Sequence, residues 1–240
     1  MEIKYFHEEE IHNTSSAGLI LPIVLGLINP KSILDIGCGI GTWLSVAKKL
    51  GIKDLIGVDG EYVDPKLLGK YLNNEEFLSY DLTQTLDLKR KFDLCLCLEV
   101  AEHLPESSSD TLVKTLIKHS DSILFSAAIP GQGGQNHVNE QWPNYWSEKF
   151  LKHGYVFLDI IRPLIWNNSN VDFWYKQNIF LVVKDSHELA SNFPSSSLSL
   201  VHPELYDAKN QIYEKRIAYL EKQLKIHPLQ QWISQIISKK

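Results

Sequence analysis

The chain has 240 residues, a formal net charge of −5 and an isoelectric point near 6.0. Its 44% hydrophobic and 22% charged residues are ordinary for a globular protein, and the length suits one α/β domain with additional segments. The sequence contains no long basic stripe, which argues against an extended electrostatic contact with nucleic acid.

Apolar runs alternate with amphipathic segments, and this alternation predicts a doubly wound, mostly parallel sheet. We expect N-terminal cap helices over 1–30, an α/β domain over 31–185, a linker over 186–200 and a helical tail over 201–240. The apolar run at 17–28 predicts a helix that covers the core, because it is shorter than the roughly 20 residues that span a bilayer. Strands are predicted at 32–36, 54–58, 76–80, 92–98, 122–127, 155–161 and 178–183, and helices at 41–50, 109–118 and 143–153.

The first predicted strand runs into a turn with three alternating glycines. Asp35 is followed by Gly37, Gly39 and Gly41, and the position that a dinucleotide fingerprint needs for its last glycine is Thr42. Glycine lets the backbone approach a nucleoside-type ligand closely, because it has no Cβ and accepts unusual backbone angles. The pattern therefore favours a nucleoside ligand other than a dinucleotide.

This D-x-G-x-G-x-G turn resembles motif I of the class I S-adenosylmethionine (SAM) methyltransferases. The resemblance implies a Rossmann-like, seven-stranded sheet with one antiparallel strand. It also implies that the three glycines lie beside the methionine part of SAM, with Asp35 at the head of the loop. Asp59 ends the second strand, where a carboxylate can bind both ribose hydroxyls. The family also implies that Asp81, at the end of the third strand, lies near the adenine amine. Glu99 ends the fourth strand and is the last of the predicted cofactor-binding residues.

Ionisable side chains cluster after the fourth strand. If the chain turns helical there, Glu99, Glu102 and His103 share one face of a single turn, and His137 joins them from the loop after the fifth strand. This E-x-x-E-H turn with a distant histidine resembles the ubiquinone-pathway O-methyltransferases and the small-RNA 2′-O-methyltransferases. The resemblance implies that these four residues bind Mg²⁺ or another divalent cation, and that His103 or His137 helps to remove the acceptor proton. The loop around His137 departs from the family pattern. In the alternative interpretation there is no metal, the acids cap the next helix, and the histidine contacts the cofactor.

The leading hypothesis is SAM-dependent methyl transfer to a hydroxyl of a small molecule or sugar, in glycan or secondary-metabolite tailoring. One alternative is an RNA 2′-O-methyltransferase, which the acidic charge balance disfavours. Another is a non-catalytic SAM-binding subunit whose tail recruits a partner.

The three cysteines, Cys38, Cys95 and Cys97, cannot all pair, and they predict buried reduced thiols. The first residues show no charged segment followed by a cleavage site. Both observations lead us to expect a cytoplasmic protein.

The tail, 201–240, is predicted to be helical over 203–226 and again over 230–238. Tyr213, Ile217, Leu220 and Leu224 are spaced by four, three and four residues, which resembles a heptad seam. Three interpretations remain open: a homodimer seam, a helix that docks on a partner protein, and a weak membrane-surface contact.

Overall fold

A computed structural model describes residues 13–226. The segments 1–12 and 227–240 lie outside the described residues, and with them the predicted helix over 230–238. The described chain falls into two compact units, one ending at Leu200 and the other beginning at Val201. The segment predicted as a linker, 186–200, contains a short helix and clusters with the first unit.

The first unit is built on one seven-stranded sheet with the order β3-β2-β1-β4-β5-β7-β6. Only β7 runs antiparallel to its neighbours, β5 and β6, and the other pairs are parallel. This confirms the predicted fold class. The strands are β1 (Ser32–Ile36), β2 (Asp54–Asp59), β3 (Phe77–Ser79), β4 (Leu94–Leu98), β5 (Ser122–Ser126), β6 (Tyr155–Leu158) and β7 (Phe180–Lys184).

Helices cover both faces of the sheet. In the first unit they are α1 (Ser15–Ile28), α2 (Thr42–Lys49), α3 (Pro65–Leu68), α4 (Ser109–His119), α5 (Pro143–Leu151), α6 (Arg162–Ile165), α7 (Phe173–Asn178) and α8 (Glu188–Asn192), and α9 (Pro203–Ile226) forms the second unit. None of the helices within residues 13–226 is both long enough and apolar enough to cross a membrane.

The central strands β1, β4 and β5 are buried along their whole length, as parallel strands with helices on both faces should be. Alternate residues feed two separate apolar layers: Leu94, Leu96 and Leu98 of β4 pack into one, and Cys95 and Cys97 into the other. This two-sided burial explains why β4 is apolar without alternation.

The strand order reverses at the β1–β4 pair in the middle of the sheet. The connections that leave these two strands run to opposite sides, which opens a crevice at the carboxyl ends of the strands. Most of the predicted site residues lie at or just after these ends, although Asp35 lies within β1, so the topology itself brings distant parts of the sequence to one edge.

Candidate active site

The glycine turn after β1 has a conformation that requires glycine. Gly37 and Gly41 have φ angles of +81° and +85°. A Cβ on Gly37 would lie 2.2 Å from the Val100 side chain, and one on Gly41 would lie 2.5 Å from Leu72. The turn is held by the Gly37 amide, which donates to the Val58 carbonyl at 2.7 Å. Any side chain at either position would therefore displace the loops around the crevice.

Asp59 lies at the end of β2, directly beneath this turn, and is 3% exposed. Its Oδ2 accepts a hydrogen bond from the Gly39 amide at 2.6 Å, and its Oδ1 accepts from the Gly60 amide at 2.7 Å. The Tyr62 hydroxyl donates to the same Oδ1 at 2.5 Å. The carboxylate is thus fixed in position, with one oxygen shared between the backbone and a half-exposed tyrosine.

One cavity of about 620 Å³ joins the glycine turn to the end of β4. Gly37, Gly39, Asp59 and Asp81 line it on one side. Its lining also includes the residues that follow β4, among them Glu99 and His103. The volume lies within the range of small-molecule sites, roughly 300–1,000 Å³.

Two of the predicted cofactor residues do not line this cavity. Gly41 forms the N-cap of α2 and packs against Leu72. Asp35 lies inside the sheet at 3% exposure, where burial, with a further contribution from the charge of Asp59, raises its pKa to about 7. Asp81 does line the cavity, and its Oδ1 accepts from the backbone and hydroxyl of Thr83.

Glu99 does not begin a helical turn. Its φ is +54°, a left-handed conformation that is uncommon for a side-chain-bearing residue, and a short 3₁₀ helix starts only at Ala101. The predicted shared face of Glu99, Glu102 and His103 on one helical turn is therefore wrong. The Glu99 carboxylate instead accepts hydrogen bonds from Gln132 Nε2 at 2.9 Å and from Asn178 Nδ2 at 3.0 Å.

Three of the four predicted metal ligands do converge. One ligand atom each from Glu102, His103 and His137 lies within 4.8 Å of the others, and the two imidazole rings meet edge to face with centroids 4.8 Å apart. Glu102 is fully buried, and neither of its carboxylate oxygens has a hydrogen-bond partner among residues 13–226. Burial, reinforced by the charge of Glu99, raises the pKa of Glu102 well above its ordinary value.

Comparison with known proteins identifies the family. Residues 12–159 match the family described as a methyltransferase domain. The chain belongs to this family. Its members and the structural neighbours are class I SAM-dependent methyltransferases, which confirms the resemblance drawn from the glycine turn.

Curated relatives match only part of the methyltransferase. Norajmaline N-methyltransferase from Rauvolfia serpentina is 39% identical over 83 residues, which is 32% of this chain and 28% of the relative. A ubiquinone biosynthesis O-methyltransferase from Neisseria meningitidis is 26% identical over 105 residues, or 41% of this chain and 44% of the relative. The chain thus matches less than half the length of either relative.

Solved structures share the fold. The plantazolicin methyltransferase BpumL, solved with a monoazolic desmethylPZN analogue and SAH, gives a TM-score of 0.54 at 18% identity, covering 74% of this chain and 86% of that one. The methyltransferase domain of bacterial CtHen1 gives a TM-score of 0.51 at 20% identity, covering 71% of this chain and 98% of that one.

The loop that carries His137 in the methyltransferase is held by a residue that sequence reasoning missed. The Glu140 carboxylate accepts hydrogen bonds from the amides of Gly131 at 2.7 Å and Gly133 at 2.5 Å, and it pairs with His137 Nδ1 at 2.8 Å. Burial alone would raise the pKa of Glu140, but these hydrogen bonds lower it below the usual value. The sequence feature that could have indicated this role of Glu140 is its position three residues after His137.

The same loop is tied to the turn after β4. The Glu102 carbonyl accepts from the amides of Val138 and Asn139, at 2.9 and 3.0 Å. The segment 139–142, which looked like a departure from the family pattern, therefore positions His137 against His103. Gln132 and Asn178, the partners of Glu99, carried no local signal because they lie 33 and 79 residues away along the chain.

Proposed function

We propose that this methyltransferase transfers the methyl group of SAM to a hydroxyl of a small molecule or sugar. The observation that carries the proposal is the cavity of about 620 Å³, which has the glycine turn, Asp59 and Asp81 on one side and Glu99 and His103 on the other. A nucleoside held by the first group would present its reactive end toward the second. Methyl transfer is an in-line displacement, so alignment of acceptor, methyl and sulfur supplies much of the acceleration.

The proposed cofactor contacts follow from these positions. Asp59 would accept hydrogen bonds from the ribose hydroxyls, and Asp81 would accept one from the adenine amine. The Gly37 and Gly39 backbone would lie against the methionine part of SAM, and Glu99 would accept from its amino group. Asp35 and Gly41 would act indirectly, by supporting the turn from behind.

The charges around the cavity disfavour an anionic acceptor. Four acids line it, Asp59, Glu61, Asp81 and Glu99, and none of the lining residues that the structure describes is a lysine or arginine. A polyanion such as RNA gains its affinity chiefly from such cations, so RNA 2′-O-methylation remains the weaker alternative. A neutral hydroxyl compound or a sugar meets no repulsion here.

The proton of the acceptor hydroxyl needs a base, and His137 is our candidate when no cation is bound to it. If its Nδ1–H donates to Glu140, as the 2.8 Å contact allows, Nε2 is left as the basic nitrogen. This nitrogen lies over Gly134, where a Cβ would come within 2.2 Å of it. Glu140 would thus set both the tautomer and the direction of the imidazole.

A divalent cation fits the cluster of Glu102, His103 and His137. The unpartnered buried oxygens of Glu102 need either a proton or a cation, and two imidazoles beside one carboxylate suit Mn²⁺, Fe²⁺ or Zn²⁺ better than Mg²⁺. When bound, such an ion would lower the pKa of the acceptor hydroxyl. Glu99 is the least suited of the four predicted ligands, because its carboxylate is engaged by Gln132 and Asn178.

We also propose a cytoplasmic location. Cys38, Cys95 and Cys97 are all buried and free, which suits a reducing compartment. Fractionation of the producing cell with an antibody against the full chain tests this, and recovery in a secreted fraction would contradict it.

The test of the function is transfer of label from methyl-labelled SAM to pools of sugars, phenols and RNA, with and without added Mn²⁺. We expect label in the sugar or phenol pool, reduced at least tenfold by His137→Ala. His153→Ala is the control, because its side chain is exposed on the turn after α5. Label in RNA alone would favour the alternative, and SAM binding without transfer to any pool would favour a non-catalytic subunit.

A further inference from the structure

The second unit presents a line of exposed apolar side chains along α9. Tyr206, Tyr213, Ile217 and Leu220 are 61%, 58%, 55% and 43% exposed. The helix is 24 residues long, about 36 Å at 1.5 Å per residue. A single exposed apolar residue is ordinary, but a regular row of them along a long helix marks a surface for another helix.

The spacing of this row is that of a coiled coil. Tyr206, Tyr213 and Leu220 are separated by seven residues and occupy the d positions of a heptad. Ile217 and Leu224 then fall on the a positions. The remaining a position within this stretch is Asn210, and a single asparagine at an a position fixes register and oligomer state in two-stranded coiled coils.

The charges beside the row are sorted by sign. The e positions are acidic throughout, at Asp207, Glu214 and Glu221. The g positions are basic at Lys209 and Arg216. These positions flank the seam and decide which partner and which direction a coiled coil accepts.

We propose that α9 forms a parallel, in-register coiled coil with a second copy of this chain. In a parallel pair, each g residue faces the e residue of the next heptad in the partner. Lys209 then faces the partner's Glu214, and Arg216 faces the partner's Glu221. An antiparallel pair would set acids against acids and bases against bases, which is unfavourable.

The same charge pattern argues against a membrane surface or an unrelated helix as the partner of this row. A membrane surface would favour basic residues along the polar edge, whereas α9 has an acidic edge on one side of the row. A helix of unrelated sequence would need its own matching charges on both sides, and a second copy supplies them by symmetry. The proposal does not depend on the proposed methyl transfer, since it uses no residue of the cavity.

The test is sedimentation of the full chain over a concentration series. We expect a monomer–dimer equilibrium that Ile217→Asn shifts at least tenfold toward monomer. The matched control is Ile212→Asn, because Ile212 is 54% exposed on the same helix but lies at a c position, outside the seam. Arg216→Glu should weaken the dimer about tenfold through repulsion by the partner's Glu221, and the double variant R216E/E221R should restore it.

Direction is tested by a cysteine at a d position. Tyr213→Cys should form a disulfide-linked dimer under mild oxidation, because equivalent d positions meet only in a parallel, in-register pair, and Ile212→Cys should not. A monomer at all concentrations overturns the proposal, as does a dimer that survives Ile217→Asn. A dimer without the Tyr213→Cys cross-link overturns the orientation and register.

Discussion

The most informative single substitution is Glu140→Ala, because this side chain is not itself a predicted site residue and yet holds His137 and its loop. Its carboxylate is 19% exposed and takes three hydrogen bonds, from Gly131, Gly133 and His137. Hydrogen bonds to charged groups contribute about 1.5–3 kcal/mol each when fully buried. The amides of Gly131 and Gly133 belong to exposed residues and can bind water instead, so we expect the free energy of unfolding to fall by only about 1–2 kcal/mol.

The effect on chemistry should be larger than the effect on stability. Loss of the partner at Nδ1 frees the His137 imidazole, and displacement of a reacting group by about 1 Å costs on the order of 100-fold in rate. We therefore expect label transfer to fall roughly 10- to 100-fold, and the affinity for a divalent cation to fall over a similar range. The affinity for SAM should stay within about twofold, because Glu140 lies outside the cavity lining.

The assays are label transfer to the acceptor found by screening, calorimetric titration with Mn²⁺ and with SAM, and thermal unfolding. The control is Glu76→Ala: Glu76 is also 19% exposed and accepts from Asn73 and Lys48, but it precedes β3 and is not part of the cavity lining. Glu76→Ala should lose stability without losing transfer. If Glu140→Ala weakened SAM binding as much as it slowed transfer, or left transfer unchanged, the assigned role of the His137 loop would be refuted.

Three further predictions concern the buried acids and the tyrosine at the cavity. Asp35 has a raised pKa of about 7 in the fold against 3.8 ordinarily, so the folded state binds its proton more tightly and loses stability as pH rises between these values. Asp35→Asn should remove this loss, and its advantage in urea unfolding should grow from near zero at pH 4 to as much as about 4 kcal/mol at pH 8; an advantage that is constant with pH would contradict this. Tyr62→Phe removes the hydroxyl that occupies Asp59 Oδ1, so calorimetry should show SAM binding roughly three- to tenfold tighter, and weaker binding would mean that Tyr62 contacts the cofactor instead. Glu102→Gln keeps the shape of a fully buried side chain but removes its charge. The affinity for Mn²⁺ should fall at least tenfold, and the melting temperature in EDTA should be unchanged or higher. An unchanged affinity for Mn²⁺ would exclude Glu102 as a ligand.

The sheet was predictable because burial of a parallel strand on both faces leaves a direct trace in the sequence. The apolar runs of β1, β4 and β5 correspond to strands that are buried at every residue. The glycine turn was predictable for a similar reason, since Gly37 and Gly41 have left-handed angles and no room for a Cβ. Both the buried strands and the glycine turn are local constraints on the sequence. Apolar residues satisfy the first, and glycine satisfies the second.

The part of the site that follows β4 and β5 was only partly predictable, because it depends on how separate loops contact each other. The left-handed backbone of Glu99 breaks the expected helical turn, and a glutamate carries no signal for that conformation. Its partners Gln132 and Asn178 reach it from other elements, so periodicity along the chain cannot reveal them. His137 was placed by resemblance, whereas the hydrogen bonds that orient it were visible only once the fold was known.

The central claim is that Asp59 binds the ribose of SAM in the cavity beneath the glycine turn. The direct measurement is calorimetric titration of SAM into the full chain, into Asp59→Ala and into Glu61→Ala. Glu61 lines the same cavity and carries the same charge, so it controls for the loss of an acid. Loss of two charged hydrogen bonds, about 3 kcal/mol, predicts that Asp59→Ala binds SAM on the order of 100-fold more weakly. Glu61→Ala should remain within about threefold of the parent chain. Equal affinity of the parent and Asp59→Ala would contradict the claim and place the cofactor elsewhere.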